Sequence, residues 1–347
     1  MSIPSMDVQL PVQVDAGVPA GSPAAVALRQ PMLWLLVALL AAGALSSPYF
    51  LGADNLANLL RQVAVFGLLA LGMNLVMLTG RIDLSVGATM VFSVIAAVEL
   101  MVLAGGLLDV RMMGRGNAFV GPAAPVVVLT LLVGALVGLV NGLGVAYGRV
   151  APFIMTLVTL SALRGLSYVL SNGRPYYLRT DGYRWLGEAQ VGPIPVAAIG
   201  LLAVFAVLAW LLHAHVSGKR IYAIGGDEKT ARFAGVRVGR WLVAVYVASG
   251  LCAALAGLIF SSRANSIDAP MATGYELSAI AIAVLGGTSL AGGQGSPWRT
   301  LCAALVFAAG LNLLTLHGVN AWYQDLVIGI VLISAVAVTA WLQRRGA

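Results

Sequence analysis

Charged residues are scarce in this sequence. Only 10% of the 347 residues are Asp, Glu, Lys or Arg, and 60% are hydrophobic, whereas a soluble protein carries about 25% charged residues. So few charges exclude a soluble enzyme and a disordered chain, and they predict a polytopic membrane protein. The 20 basic residues are spread over short loops rather than gathered into a patch, so the net charge of +7 predicts membrane topology and no nucleic-acid partner.

Cysteine and lysine are also rare. Cys252 and Cys302 lie inside apolar runs, which excludes a disulfide-stapled domain and predicts two small packing residues. Neither Lys219 nor Lys229 fits the G-x-x-x-x-G-K-[ST] pattern of a phosphate-binding loop, so we expect no ATP site of that kind on this chain. The sequence also lacks the usual nucleophile and metal-ligand motifs. We therefore predict no catalytic residues, no metal and no enzyme activity.

Long apolar runs recur from Pro31 onward. Runs of about 20 residues are long enough to cross a ~30 Å hydrocarbon core as helices. Because lipid cannot hydrogen-bond to the backbone, we predict an all-α fold of about ten transmembrane helices. The predicted spans are 31–50, 62–79, 84–105, 124–146, 152–171, 193–214, 241–261, 277–292, 298–316 and 322–342. The eighth is the weakest because it enters a glycine-rich stretch, and a re-entrant segment is the alternative there.

The loops predict the orientation. Residues 1–29 lack the pattern of a signal peptide, and we predict that they form a disordered cytosolic tail before a transmembrane domain of residues 30–347. With that tail inside, twelve basic residues fall in the inner loops and tails and seven in the outer loops. The densest cluster lies in the loop 217–240. The positive-inside rule therefore places both termini in the cytosol.

Two short segments resemble each other. Asp83-Leu84-Ser85 opens the third predicted span, and Glu276-Leu277-Ser278 opens the eighth. The two spans would enter from opposite sides of the membrane, as in the inverted repeats of many transporters. Three matched residues also arise by chance, so the repeat stays an open prediction.

Polar residues within the spans are candidates for lining a solute path, because they are costly in lipid. Hydrogen bonds between helices are the alternative explanation for each of them. Arg81 is the expected partner of Asp83. The candidates are Asn74, Asp83, Ser85, Asn141, Thr156, Thr159, Arg164 and Asn312. No run of charges lines a pore, which argues against an inorganic-ion channel.

The loop 217–240 differs from all the others. Gly225-Gly226 interrupts it, Asp227 is a suitable N-cap for a short helix, and Gly235 is a suitable end. We expect Ala231, Phe233 and Ala234 to give this helix an apolar side. Such a helix either rests on the membrane surface or docks into a groove of a soluble partner.

Several long motifs appear in a familiar order. They are GRIDLSVGA at 80–88, PFIMTLVTLSALRGL at 152–166, GGDEKTARFAGVRV at 225–238, GYELSAIAIAVLGGTSLAGGQG at 274–295 and HGVNAWYQDLV at 317–327. Over about residues 50–340 the chain resembles the permease subunits of bacterial ABC-type monosaccharide importers, the ribose/xylose/galactose group.

The resemblance implies a function and partners. Such a permease sits in the bacterial inner membrane beside a second permease copy or homologue, receives sugar from a periplasmic binding protein, and contacts a cytosolic ATPase that holds ATP and Mg. No cofactor is then expected on this chain. The alternative function is a proton-coupled secondary carrier of a small polar solute, with Asp83 or Glu99 as the proton relay.

The resemblance also assigns two segments. The residues matching the family's ATPase-coupling segment are Asp227, Glu228, Lys229, Thr230, Ala231, Arg232, Phe233, Ala234 and Gly235. The residues matching its glycine-rich connection are Gly286, Gly287, Gly292, Gly293 and Gly295. The sequence departs from the family in having Asp227 where Asn is usual and Arg299 where a small residue is usual.

Overall fold

The structure is a computed structural model that describes residues 31–104, 111–113, 117–179, 182–320, 322–324 and 326–330. The predicted tail 1–29 and most of the tenth predicted span, 322–342, lie outside the described residues. Within them the chain is mostly helical. The helices are α1 (Pro31–Ser46), α2 (Ala53–Leu78), α3 (Val86–Leu103), α4 (Ala123–Ala146), α5 (Pro152–Ser171), α6 (Arg184–Glu188), α7 (Val196–His213), α8 (Val216–Gly226), α9 (Glu228–Phe233), α10 (Val238–Ala264), α11 (Tyr275–Leu285) and α12 (Pro297–Leu316).

Seven helices of the described residues are long and apolar enough to cross a membrane, namely α2, α3, α4, α5, α7, α10 and α12. Helices α1 and α11 are apolar but shorter. Helices α2, α3 and α10 are mostly buried inside the chain, whereas fewer than a third of the residues in the apolar windows of α4, α5 and α7 are buried. The core is therefore a central group of three helices with others packed around it, which is the arrangement expected of a polytopic membrane protein.

The eighth predicted span is shorter than predicted. Helix α11 ends at Leu285, and residues 286–296 are not helical. Gly287 ends the helix with a φ of 79°, and the backbone N–H of Thr288 bonds back to the carbonyl of Ala283 at 3.0 Å. The 11 residues of α11 extend about 16 Å, roughly half of the hydrocarbon thickness. A continuous helix over 277–292 is thus wrong.

Helix α11 starts against the start of α3. A Cβ built on Gly87 would overlap Oε2 of Glu276 and lie 3.0 Å from the carbonyl oxygen of Ala272. From this contact the two helices lead to opposite ends of the molecule: Glu99, near the far end of α3, accepts a hydrogen bond from the Tyr176 hydroxyl, whereas α11 leads toward Gly80 at the end of α2. The inverted repeat itself stays a prediction.

Short strands lie at one end of the helices, and the all-α prediction missed them. They are β1 (Arg111–Met113), β2 (Asn117–Val120), β3 (Tyr176–Leu178), β4 (Gln190–Val191), β5 (Ile194–Pro195) and β6 (Ser266–Ile267). One sheet has the order β1-β2-β3-β6, and β4 pairs with β5. In the first sheet β2 and β3 are parallel, with Asn117 opposite Tyr176. This sheet ties together the loops that follow α3, α5 and α10.

Candidate functional site

Asp227 caps helix α9 as predicted. It stands between α8 and α9 with an extended backbone, and its Oδ1 accepts a 2.9 Å hydrogen bond from the backbone N–H of Lys229. Its Oδ2 accepts a 2.6 Å hydrogen bond from the hydroxyl of Thr230. The Thr230 hydroxyl and the Lys229 N–H hold the pKa of the Asp227 carboxyl below its usual value, so the cap is charged at neutral pH.

Gly235 ends helix α9, also as predicted. It has a φ of 82°, and the N–H of Val236 reaches back to the carbonyl of Ala231 at 3.0 Å. The expected single apolar side is wrong, however. Ala231 is buried against Ile224, whereas Phe233 is 92% exposed. Two residues apart on a helix, their side chains point in different directions, and Phe233 is left free for a partner.

Glu228 connects α9 to the segment between α2 and α3. Its Oε2 lies 2.6 Å from Nη2 of Arg81, and its Oε1 lies 2.8 Å from Nη2 of Arg232. The expected pair between Arg81 and Asp83 is therefore wrong. Partial burial raises the pKa of Glu228, but the hydrogen bonds from Arg81 and Arg232 outweigh it and leave the pKa below its usual value.

Replacing Glu228 by Gln should loosen α9. Because its side chain is 39% exposed, solvent screening limits the double ion pair to roughly 0.5–1 kcal/mol. We expect trypsin to cleave after Lys229 about two- to fivefold faster in Glu228→Gln. The pKa of Glu228 is lower in the folded chain than in the unfolded chain, so its carboxylate stays charged and paired at any pH above the ordinary Glu pKa. The ion pairs weaken only as pH falls through the depressed pKa of the folded chain. The ratio of cleavage rates between Glu228→Gln and wild type should therefore stay constant from about pH 6 to 9.

A matched control exists at the other end of the molecule. Glu188 is 40% exposed and pairs with Arg184 at 2.8 Å. Glu188→Gln should leave cleavage after Lys229 unchanged. Equal cleavage rates in wild type and Glu228→Gln would show that the ion pairs do not hold α9.

The glycine-rich connection 286–295 packs against the end of α8, directly before α9. A Cβ built on Gly225, in the last turn of α8, would overlap both the carbonyl oxygen of Leu78 and the backbone nitrogen of Gly293. Gly293 itself donates a 3.0 Å hydrogen bond to that Leu78 carbonyl. A Cβ on Gly80 would lie 3.0 Å from the carbonyl oxygen of Ala291. Three backbone segments therefore meet without side chains between them.

We call this contact the glycine crossing, and it consists of Gly80, Gly225, Gly226, Gly292 and Gly293. It joins the end of α2, the end of α8 and the connection after α11. The sequence places these glycines up to 213 positions apart, and nothing in their spacing predicts that they meet. The connection is thus in direct contact with the residues that precede α9.

The rest of the connection is equally close-packed, and Arg299 fits beside it. The hydroxyl of Tyr222 on α8 donates a 2.9 Å hydrogen bond to the carbonyl of Gly295. A Cβ on Gly286 would lie 2.8 Å from Cα of Thr300, whereas one on Gly287 would lie 3.4 Å from the Arg299 guanidinium. The side chain of Arg299 is exposed and its guanidinium lies beside Gly287, where no side chain competes for the space, which explains how the chain accommodates its bulk.

Four of the predicted path residues form one buried hydrogen-bond network. Oδ1 of Asp83 accepts from the backbone N–H of Ser85 at 3.0 Å and from its hydroxyl at 2.6 Å. The Asn141 amide donates to the Ser85 hydroxyl at 2.8 Å and accepts from the Thr159 hydroxyl at 2.6 Å. The hydroxyl of Ser249, which sequence analysis missed, donates to Oδ2 of Asp83 at 3.0 Å. A lone serine in an apolar run offers no signal for such a role.

The remaining path candidates lie apart from this network. The Asn74 amide donates to the Thr288 hydroxyl at 2.7 Å. Asn312 and Asn55 exchange two amide hydrogen bonds of 2.8 and 3.0 Å. The Thr156 hydroxyl bonds to a carbonyl of its own helix. These side chains are engaged within the chain, so their role in a path stays a prediction.

Arg164 is the predicted path residue that is partly exposed. Its Nη1 donates to the carbonyl oxygens of Ala269 and Met271, both at 2.7 Å. Those residues precede α11 and are not helical, so their carbonyl oxygens accept hydrogen bonds from Arg164 instead of from the backbone of a helix. It therefore fastens α5 to the segment that leads into the short helix.

Known proteins resemble this chain over most of its length. A family described as "Branched-chain amino acid transport system / permease component" matches residues 55–336. The ribose import permease of Bacillus subtilis is 42% identical over 308 residues, covering 88% of this chain and 90% of that protein. The ribose import permease of Escherichia coli K12 is 40% identical, covering 90% of this chain and 93% of that protein. The xylose transport permease of E. coli K12 is 32% identical, covering 85% and 87%.

The chain therefore belongs to this family of transport-system permease components. Together with the seven apolar helices of the described residues, the family makes it a multi-pass membrane protein that serves as a transport subunit. The resemblance inferred from the five sequence motifs is confirmed.

Proposed function

We propose that the chain is the permease subunit of an ATP-driven importer that carries a ribose-like monosaccharide across the bacterial inner membrane. One structural observation supports coupling to an ATPase above all: a capped helix exposes Phe233 and directly follows Gly225 and Gly226 of the glycine crossing. The relatives of this chain include permeases named for ribose, allose and xylose. The family description names branched-chain amino acids, but relatives about 40% identical over nearly their whole length favour sugar.

The partners in this proposal are a cytosolic ATPase with its ATP and Mg, a periplasmic sugar-binding protein, and a second permease copy or homologue. Both termini are in the cytosol. The basic residues of the loop 217–240 support that orientation, because positively charged loops stay inside. With that loop inside, Phe233 faces the compartment that holds the ATPase.

The contacts suggest how movement of the coupling helix reaches the membrane. Glu228 binds α9 to Arg81 in the segment that leads into α3, and Gly225 contacts Gly293 in the connection that follows α11. A displacement of α9 by the ATPase therefore acts at the same time on the segments leading to α3 and α11. Since the starts of these two helices are in contact near Gly87, we infer that their separation opens and closes the sugar path.

This inference places the path at the junction of α3 and α11. Discontinuous helices that meet inside the membrane often form the substrate sites of transporters. The buried network of Asp83, Ser85 and Asn141 would then hold the start of α3 in place rather than touch sugar in this conformation. The inverted repeat belongs to the same proposal.

The proton-coupled carrier predicts a different outcome for Asp83. The Asp83 carboxylate accepts three hydrogen bonds, from the backbone N–H and hydroxyl of Ser85 and from the hydroxyl of Ser249. The oxygen of an Asn side chain can keep the two bonds from Ser85, and its amide can donate to Ser249 once that hydroxyl rotates. In the importer we expect Asp83→Asn to retain uptake within a few-fold of wild type, since loss of a hydrogen bond costs about 1 kcal/mol. Uptake should be measured in cells with and without a proton gradient at constant ATP.

Two results would overturn the importer. One is uptake that collapses with the proton gradient while ATP stays constant. The other is complete loss of uptake in a stable Asp83→Asn protein. Gentle purification of the native complex provides the complementary test, since an ATPase subunit should accompany this chain. Thermal stabilisation of the companion binding protein by individual sugars would then identify the substrate.

A further inference from the structure

An arginine-lined cavity lies beside the coupling segment but on a different face from Phe233. The cavity has a volume of about 490 Å³, and Arg220, Arg237, Arg240, Trp241 and Ala244 line it together with the backbone near Gly235. It is an open cavity bounded by α8, the end of α9 and the first turns of α10. No acidic residue is among its described lining residues.

The three arginines have no anionic partner among the described residues. Among the residues that the structure describes, the ion pairs join Arg81 and Arg232 to Glu228, and Arg184 to Glu188. Arg220 instead lies 5.5 Å from the ring centroid of Trp241. Arg237 and Arg240 flank the N-terminus of α10, where the helix dipole disfavours cations and favours an anion.

A neighbouring cavity provides an internal comparison. It lies on the other side of the same helix start and is lined by Arg81, Arg149 and Arg232, but also by Glu228. There the carboxylate compensates two of the cations. In the first cavity the compensating negative charge is missing from the described chain.

The depth of the cavity identifies the kind of anion. Arg240 and Arg263 are 23 residues apart on α10, about 35 Å, and the residues between them carry no charge. That distance matches a ~30 Å hydrocarbon core, so Arg240 lies at the level of the lipid headgroups. Ala244, one turn deeper on the same face, is exposed and small, which leaves space for an acyl chain. Trp241 lies between them at the interface, where tryptophan is favoured.

We propose that this cavity binds the headgroup of an anionic phospholipid from the surrounding bilayer. The phosphate lies between Arg220, Arg237 and Arg240, and an acyl chain follows α10 past Ala244. Basic pockets at the headgroup level between helices are the sites that bind such lipids. Bound there, the lipid neutralises the arginines beside α9 and fixes the start of α10 behind the coupling helix. The lipid site does not depend on the sugar, the ATPase or the orientation.

The test is a lipid titration of the purified full chain by native mass spectrometry. Phosphatidylglycerol and phosphatidylcholine with identical acyl chains are the probes. We expect wild type to retain phosphatidylglycerol in preference to phosphatidylcholine. Each arginine contributes about fivefold in affinity near a headgroup, so Arg237→Gln/Arg240→Gln should weaken phosphatidylglycerol binding by about 25-fold. Both side chains are exposed, and the variant should remain folded.

The control removes the same number of charges from the same end of the molecule. Lys219→Gln/Arg149→Gln leaves the cavity intact and should bind phosphatidylglycerol like wild type. Three results would overturn the proposal: equal losses in the two double variants, no preference over phosphatidylcholine, or full displacement of the lipid by millimolar inorganic phosphate, which would mean a site for soluble anions. Arg237→Gln/Arg240→Gln with intact lipid binding but lost ATPase association would instead assign the arginines to the partner protein. None of these measurements requires transport, so their failure is distinct from failure of the importer.

Discussion

Gly225→Ala should abolish most sugar uptake, whereas Gly226→Ala should leave it nearly unchanged. The added methyl group at Gly225 would overlap the backbone at Leu78 and Gly293, and backbone atoms cannot turn aside as a side chain can. Overpacking of this kind costs about 1–3 kcal/mol, and it must separate α8 from the connection after α11. Gly226, the next residue, has open space at the same position.

The two variants form a matched pair, since they make the same chemical change one residue apart. We expect at least about fivefold lower uptake per inserted molecule in Gly225→Ala, which corresponds to the lower end of that cost. Uptake of a radiolabelled ribose-type sugar should be normalised to the amount of monodisperse protein extracted from the membrane. A Gly225→Ala protein that transports as well as Gly226→Ala would show that the glycine crossing is not needed for coupling.

Composition and run length predicted the membrane-spanning character because the cost of charge in lipid leaves few alternatives. Local chemistry predicted the cap at Asp227 and the end at Gly235, since both depend on neighbouring backbone groups. One predicted start was far off: α2 begins at Ala53 rather than at 62, because Arg61 is accommodated by a hydrogen bond to the carbonyl of Glu188. A charged residue in a run therefore does not mark the end of its helix.

Long-range contacts were beyond sequence reasoning. Arg81 pairs with Glu228 rather than with nearby Asp83, and Asp83 is held by Ser249, 166 positions away. Hydrogen-bonding capacity alone does not reveal which helices meet, since every polar residue in a span has several potential partners. The same holds for the glycine crossing, where an absent side chain gives no chemical signal until the fold brings the backbones together.

Phe233→Asp should disconnect the permease from its ATPase without unfolding it. The phenyl ring is 92% exposed, so its removal costs the isolated chain almost no packing. An aromatic side chain at the centre of a protein interface typically contributes about 2 kcal/mol or more, which predicts at least a 30-fold weaker complex. Co-purification of the ATPase from membranes measures this loss, and sugar uptake should fall with it.

Three further variants separate the possible causes. Phe233→Leu keeps an apolar side chain and should retain most of the association, whereas Phe233→Ser tests the loss of the ring without a carboxylate at the helix C-terminus, where negative charge is unfavourable. Tyr177→Asp makes the same kind of change at a residue that is 45% exposed in the sheet at the other end of the molecule, and it should leave ATPase association intact. If Phe233→Asp and Phe233→Ser both keep the ATPase and normal uptake, α9 does not dock through this ring. Equal loss in Phe233→Asp and Tyr177→Asp would instead trace the effect to general damage. Loss confined to Phe233→Asp and Phe233→Ser would show that the ring of Phe233 binds the ATPase, because the ring touches little within its own chain.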